Sequence, residues 1–410
     1  MVHTRLDQLL DYPFQRLAAL LGDTPAGRQS EQPVPYNLTI GEPKHAVPDI
    51  VANTLRTTHE TFGKYPPTSG TERLRAAIVA WFNRRYPAAA GQVDKDSMVL
   101  AVAGSREALY MAAQVALDPD RHAEKPYVLI PNPFYQVYRG AAMMAGGQVR
   151  PMHCAAANGF LPDILTQPTD VLAKTALVYL CSPGNPQGNV IDQDTYLKVL
   201  DLAAEHNFVV AADECYSEIY TSEPAPGIAE ACAVHRNGFQ NVLIFNSLSK
   251  RSSVPGLRSG FVIGDAALMA DFIKLRAYGG ATLPMPLQDV AACLWDDEQH
   301  VQENRTLYQQ KLQYAAALFA DVPDFRMPAG GFFLWLPVPA RYMNASAAGV
   351  PAEAFAKDLW AQQGVRVIPG RYFSLPDASG ASPGDHYVRV ALVHDLPTTQ
   401  NALQLMREMY

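Results

Sequence analysis

The chain has 410 residues, 48% of them hydrophobic and 18% charged, enough apolar material for one large domain and a smaller one. With 33 basic against 40 acidic residues the net charge is −7, and the absence of a long Lys/Arg run argues against a nucleic-acid surface. No segment approaches the roughly 20 consecutive apolar residues of a membrane helix.

Leu6, Leu9, Leu10, Phe14, Leu17, Leu20 and Leu21 are spaced for helical faces interrupted around Pro13, and the Gly/Pro/Gln/Ser-rich residues 22–35 predict a loop. Charges at Arg5, Asp7 and Asp11, with no cleavage site after an apolar run, exclude a secretory signal from the expectation. Short apolar runs then predict strands at 98–102, 127–130, 176–180, 208–212, 242–245 and 260–263. Amphipathic stretches at 107–116, 135–145 and 193–205 predict helices between them. Buried β-branched strands alternating with helices imply an α/β fold with a mostly parallel sheet covered on both faces. A helical region from 286 to about 320 follows, then a strand at 331–336, a helix at 352–363 and a strand at 386–392, with a surface loop at 376–385. The expected organisation is an N-terminal segment (1–50) that belongs to a small domain, a large cofactor-binding domain (51–295) and a small α+β C-terminal domain (296–410). The cysteines, Cys154, Cys181, Cys215, Cys232 and Cys293, are scattered and form no CxxC pair, as suits reduced thiols in a cytosolic protein.

Open α/β sheets bind ligands beyond the carboxyl ends of their strands, so the site chemistry is expected there. After 242–245 comes Asn246-Ser-Leu-Ser-Lys250, with Arg258 beyond a Pro-Gly turn. A desolvated lysine beside a second cation stays nucleophilic near neutral pH, and can carry a Schiff base. Ser247, Ser249 and Arg258 suit a phosphate, to which arginine donates paired hydrogen bonds. Lysine for an aldehyde and arginine for a phosphate together describe pyridoxal phosphate. After 98–102, Gly104-Ser105-Arg106 leads into a helix and aims backbone N–H groups at an anion, although taken alone Ser105 reads more readily as a helix cap. After 208–212, Asp213 is costly unless paired, and a protonated pyridine nitrogen is such a pair. Tyr216 is either a ligand of the ring's phenolic oxygen or a core tyrosine. After 176–180, prolines and glycines bracket Asn185 in a tight turn, with a cis bond expected at Asn185-Pro186. After 127–130, Tyr135 is placed to stack on a pyridine face or simply to pack.

These residues in combination resemble class I aminotransferases, fold-type I enzymes that depend on pyridoxal phosphate, over nearly the whole chain. The resemblance implies a mostly parallel seven-stranded-type sheet between helices. It implies Lys250 as Schiff-base lysine and proton shuttle, Asp213 on the pyridine nitrogen, and Asn185 and Tyr216 on the phenolic oxygen. Tyr135 would stack on the ring, while Ser105, the backbone at Arg106, Ser247 and Arg258 would hold the phosphate. Tyr65, in Lys64-Tyr65-Pro-Pro, looks like the tyrosine that reaches the phosphate of a neighbouring subunit, which implies a homodimer with shared active sites. Arg389, in Tyr-Val-Arg389-Val-Ala, looks like the arginine that grips the substrate α-carboxylate, with Gly41 and Asn185 beside it. Asp11-Tyr-Pro-Phe-Gln-Arg-Leu, Gly41-Glu-Pro-Lys-His-Ala-Val-Pro, Gly330-Gly-Phe-Phe-Leu-Trp-Leu and Pro369-Gly-Arg-Tyr-Phe are similar to N-succinyldiaminopimelate aminotransferases of lysine biosynthesis. That likeness implies a cytoplasmic enzyme exchanging the amino group of N-succinyl-LL-2,6-diaminopimelate with 2-oxoglutarate. Alternatives are an aminotransferase for aspartate, alanine or aromatic donors, or a C–S lyase on the same scaffold. Lys44, Arg28 and Arg371 are equal candidates for the distal carboxylate.

Overall fold

After the two-residue β1 (Tyr36–Asn37), seven strands build the main sheet: β2 (Val99–Val102), β3 (Tyr127–Asn132), β4 (Gln148–His153), β5 (Thr175–Cys181), β6 (Val209–Asp213), β7 (Val242–Ser247) and β8 (Gly260–Gly264). The structure is a computed structural model and describes residues 5–27, 35–118, 124–343 and 349–410. The spatial order is β2-β8-β7-β6-β5-β3-β4; β8 runs antiparallel to both neighbours and the other pairs are parallel. Every residue of β5, β6 and β7 is buried, because alternate side chains enter two different cores. Val178, Leu180, Val210 and Ala212 pack on one face against Trp81, Tyr196 and Leu200. Leu177, Tyr179, Val209 and Ala211 pack on the other against Leu109, Tyr138 and Phe272.

Six of these strands were expected from sequence and β4 was not. It is one edge of the sheet, and its Gln148, Arg150 and His153 break the apolar run that marks the interior strands. The helices Ser105–Ala116, Gln136–Met144 and Gln193–His206 lie close to their expected positions. The single helical region expected from 286 to about 320 is two helices, Met285–Asp296 and Gln299–Leu318. The break is held by Arg251, whose buried guanidinium donates to the carbonyls of Leu294 (2.6 Å) and Asp297 (3.1 Å) and pairs with Glu298 at 2.7 Å. Asp297 also accepts the His300 amide at 3.1 Å, as a residue opening a helix does.

A second, antiparallel sheet joins β9 (Phe333–Pro337), β11 (Ile368–Pro369) and β12 (Tyr387–Ala391) in the order β11-β12-β9. Leu334, Leu336, Val388 and Val390 bury one face against Phe355 and Leu359 of the helix Pro351–Gln363 and Leu403 of the helix Leu396–Arg407. The N-terminal part of the chain packs here too. Leu17 and Leu21, from the helix Pro13–Leu21, meet Trp335, Trp360 and Ile368, and β1 pairs in parallel with β10 (Val365–Arg366). Among the described residues no helix is long and apolar enough to cross a membrane.

Candidate active site

A cavity of about 480 Å³ opens at the carboxyl ends of β2, β5, β6 and β7, and every residue expected to contact the cofactor or the α-carboxylate, except Tyr65, lines it. Gly41 and Arg389 close it from the side of the second sheet.

At one end the chain builds an anion seat. Gly104 has φ +83° and caps the helix Ser105–Ala116; no side chain caps it, so the reading of Ser105 as a helix cap is corrected. Ser105 instead accepts a hydrogen bond from the Cys215 thiol at 3.0 Å, and the first amides of the helix have no partner within it. Arg258 packs over this turn, where a β-carbon on Gly104 would collide with its guanidinium. Its Nη atoms donate only to the carbonyls of Pro255 (2.9 Å) and Ala103 (3.2 Å), which leaves its charge without a carboxylate among the described residues. Ser247 accepts the Ser249 amide at 3.1 Å and donates to the Ser259 carbonyl at 3.0 Å, which starts the short helix Leu248–Arg251.

Lys250 stands on that helix, and its Nζ donates to the carbonyl of Gly41. Burial is the main cause that lowers its pKa to about 8; among the cations near it, Arg389 and Arg106 push the same way. Arg258 was the second cation expected beside it from sequence, so this is a correction: the cations that act on the amine come from β12 and from the helix after β2. Asp213 ends β6. Its carboxylate accepts the Tyr138 hydroxyl at 2.6 Å and the Cys215 amide at 3.2 Å, has no cation at ion-pair distance among the described residues, and is pushed up by burial. Such a group calls for a positive partner from a ligand.

Arg389 is 5% exposed, with no carboxylate partner among the described residues. Nη2 donates to the Thr39 carbonyl (2.7 Å), Nη1 reaches Asn185 Oδ1 (3.3 Å), and Nε has no acceptor. The guanidinium lies between the rings of Phe333 and Phe373, and burial lowers its pKa to about 10. A buried cation with an unsatisfied donor is prepared for a carboxylate. Gly41 is required opposite it, since a β-carbon there would meet Phe333 and Phe332. Asn185 precedes a cis peptide bond to Pro186, and Tyr216 packs edge-on to Phe332 and Phe333. Tyr135 accepts the Arg106 Nε–H at 2.7 Å, and the Tyr135 and Tyr138 rings meet at right angles.

Tyr65 does not join this group; its side chain is fully exposed. The cavity also takes in Tyr12, Phe14, Glu42, Tyr138, Phe333 and Phe373, none of which was named as a site residue. For Tyr138 the signal was available, three residues after Tyr135 on a helix. Of the candidates for the distal carboxylate, Lys44 contacts His394 (3.5 Å), and Arg371 is held by the Gly380 carbonyl (2.7 Å) and Asp385 (3.6 Å). Neither lines the cavity, and Arg28 lies outside the described residues.

The residues present fit pyridoxal phosphate: an anion seat under Arg258, a primary amine, and a buried carboxylate that lacks its cation. The chain is similar over its whole length to an aminotransferase from Neisseria meningitidis, with 40% identity, a TM-score of 0.91 and 99% of each chain covered. It is also similar to aminotransferase AspB from Helicobacter pylori, at 33% identity and a TM-score of 0.85 over 98% of each chain. Among curated relatives, the LL-diaminopimelate aminotransferase of Syntrophobacter fumaroxidans is 28% identical over 413 residues, 99% of this chain and 98% of the relative. Residues 34–404 match the family model described as "Aminotransferase class I and II", and the chain belongs to that family of pyridoxal-phosphate-dependent transaminases.

Proposed function

We propose that this transaminase exchanges the amino group of N-succinyl-LL-2,6-diaminopimelate with 2-oxoglutarate, as a cytoplasmic homodimer. The observation that carries the reading is one cavity lined by the Lys250 amine, the cation-seeking Asp213 and the carboxylate-seeking Arg389. Support for the donor comes from the sequence segments named above and from relatives whose names specify LL-diaminopimelate. Free LL-diaminopimelate is the second reading, favoured by those names and by Glu42 at the cavity wall, a carboxylate able to meet a distal ammonium.

Bound pyridoxal phosphate supplies an aldehyde for the amine and a ring that takes up the electron pair left when a Cα proton departs. The residues around it divide the remaining work. Arg389 would grip the α-carboxylate, with Asn185 and Gly41 fixing that wall. Lys250, with its pKa lowered to about 8, is neutral in a useful fraction near neutral pH, and would take the Cα proton and deliver it to the carbon that was the cofactor's aldehyde. Asp213 would hold a positive charge at the ring nitrogen, and the Tyr138 hydroxyl and Cys215 amide hold Asp213. Asn185 and Tyr216 would bind the phenolic oxygen, Tyr135 would cover the ring, and Ser105, the Arg106 amide, Ser247 and Arg258 would hold the phosphate. A large domain over residues 51–295 carries the cofactor, and the segments 1–50 and 296–410 close on the substrate.

The homodimer reading is supported by Tyr65, which stands 102% exposed with Phe62 at 60% beside it, an apolar pair that a partner would cover. Light scattering measures the oligomer. An amino-donor screen with 2-oxoglutarate tests the function: highest kcat/KM with N-succinyl-LL-diaminopimelate is expected. A preference for free LL-diaminopimelate selects the second reading, and a preference for aspartate, alanine or cystathionine overturns both.

A further inference from the structure

The segment that carries Gly41 and Glu42 to the cavity wall has a second hold on the site, through His45. Asn304, Tyr308 and Lys311 stand at i, i+4 and i+7 of the helix Gln299–Leu318 and share one of its faces. The imidazole lies across that face. Its Nδ1 meets Asn304 Oδ1 at 2.6 Å, its Nε2 meets Lys311 Nζ at 2.8 Å, and its ring centroid is 4.4 Å from that of Tyr308. Asn304 is buried, and its amide reaches the backbone of the reacting lysine: Nδ2 donates to the carbonyls of Lys250 (3.2 Å) and Arg251 (3.1 Å).

These bonds fix the tautomer of the imidazole. With Nδ2 committed to two carbonyls, Asn304 Oδ1 faces the Ser253 hydroxyl (2.9 Å) and His45, so Nδ1 carries the hydrogen and Nε2 accepts from Lys311. Burial, followed by the Lys311 charge, lowers the His45 pKa to about 4 and keeps the ring in that neutral form.

We propose that His45 and Asn304 are positioning residues for Lys250, tying the turn that bears the lysine to the stretch 41–45 so that the amine stays in register with the cavity wall it faces. The proposal rests on the reading of Lys250 as the reacting lysine. One short stretch of chain then holds that residue at both ends. Gly41 accepts from Nζ, and His45, four residues on, acts through Asn304 on the carbonyl of the same lysine. A ring contact runs the same way: Tyr308 stacks on Phe332 at 5.1 Å, and the Phe332 ring lies 5.3 Å from Lys250 Nζ. Neither His45 nor Asn304 lines the cavity, so both act on the chemistry by position alone.

The test compares the holoenzyme with His45→Phe, His45→Asn and Asn304→Asp. Phenylalanine keeps a ring and loses both nitrogens, whereas asparagine returns a donor near the place of Nδ1. Aspartate at 304 keeps the acceptor oxygen and loses the donor to the two carbonyls. In single-turnover measurements the maximal rate with donor should fall by about 10- to 100-fold in His45→Phe and Asn304→Asp, with half-saturation by donor within about 2-fold of wild type. His45→Asn should recover most of the rate. A second measurement needs no turnover: trace acetylation of the cofactor-free protein at a series of pH values, read on the Lys250 peptide by mass spectrometry, gives the midpoint of the amine. Wild type should titrate at about 8 and the two impaired variants closer to the ordinary lysine value of about 10.4, because a loosened amine regains water. An unchanged rate and midpoint in His45→Phe overturn the proposal. So does weaker donor binding at an unchanged maximal rate, which would make the stretch a substrate wall only, and so does His45→Asn no better than His45→Phe. Should His45→Phe fail to fold, His45→Gln, which keeps an acceptor for Lys311 and loses the donor to Asn304, is read against the same expectations. If Lys250→Ala keeps full turnover, the reading of the lysine has failed; a shifted midpoint then still supports the tie, and an unshifted one overturns it.

Discussion

Arg258 lies directly over Gly104, and the two positions depend on each other. Gly104 has φ +83°, Arg258 has φ +56°, and there is no room between them for a β-carbon. Gly104→Ala must therefore strain the backbone and displace the guanidinium, at a cost of about 1–3 kcal/mol. The expected outcome is a lower Tm and a weaker hold on pyridoxal phosphate, read by cofactor retention on dialysis. Full retention would remove this turn from the phosphate seat.

Lys250→Ala should reduce transamination by more than about 10³-fold, because among the described residues no other amine lines the cavity to move the Cα proton. The lysine-dependent absorbance of the bound cofactor should vanish with it. Undiminished turnover would end the assignment of the lysine.

Asp213→Asn keeps the shape and loses the charge. A slower first half-reaction, by about 10²- to 10³-fold, is expected in single-turnover measurements. Tyr138→Phe should act in the same direction by less, since it removes only the 2.6 Å bond that holds the carboxylate.

Arg389→Met should raise KM for donor and acceptor by about 100-fold, the loss of a paired charged contact. The ligand-free protein should keep or gain Tm, since a buried cation without a carboxylate is a burden to the fold until substrate arrives. A Tm falling by many degrees would mean that the arginine is structural.

Lys311 supplies a pH prediction away from the cavity. It is 1% exposed, donates to His45 Nε2 and to the His394 carbonyl (2.8 Å each), and burial lowers its pKa to about 7. Between about pH 7 and the ordinary lysine range the unfolded chain holds a proton that the folded chain has lost, so stability from this group rises with pH across that window. Below about pH 7 the burial penalty is present in full. Lys311→Met should flatten the rise in Tm from pH 7 to 10, measured by scanning calorimetry; an unchanged slope would show that Lys311 stays charged.

The parts of the site legible in the sequence are those that end apolar runs. Asp213 and Ser247 are the last residues of β6 and β7, and the composition changes sharply there from apolar to polar. Asn185 was marked by its prolines, and Gly104 by the turn it makes before a helix. What was not legible depends on distant contacts. Tyr12 and Glu42 reach the cavity only because the N-terminal segment folds back on the second sheet, and nothing in their own neighbours says so. The strand β4 was hidden by its exposed polar face, and the helix break at Asp297 by the buried guanidinium that creates it. Ser105 shows the local rule failing: serine before a helix ordinarily caps it, but here Gly104 takes that place and the hydroxyl turns toward Cys215.

Arg251 follows Lys250 in the chain and points the opposite way, into the junction of the helices Met285–Asp296 and Gln299–Leu318. The reacting amine is thus aimed from behind. One guanidinium clamps both the end of the first helix and the short turn that carries the lysine, so they share a single anchorage. Loosening that anchorage, without touching any cavity residue, would let the amine wander from the carbonyl of Gly41 and blunt the chemistry while leaving every wall of the cavity in place.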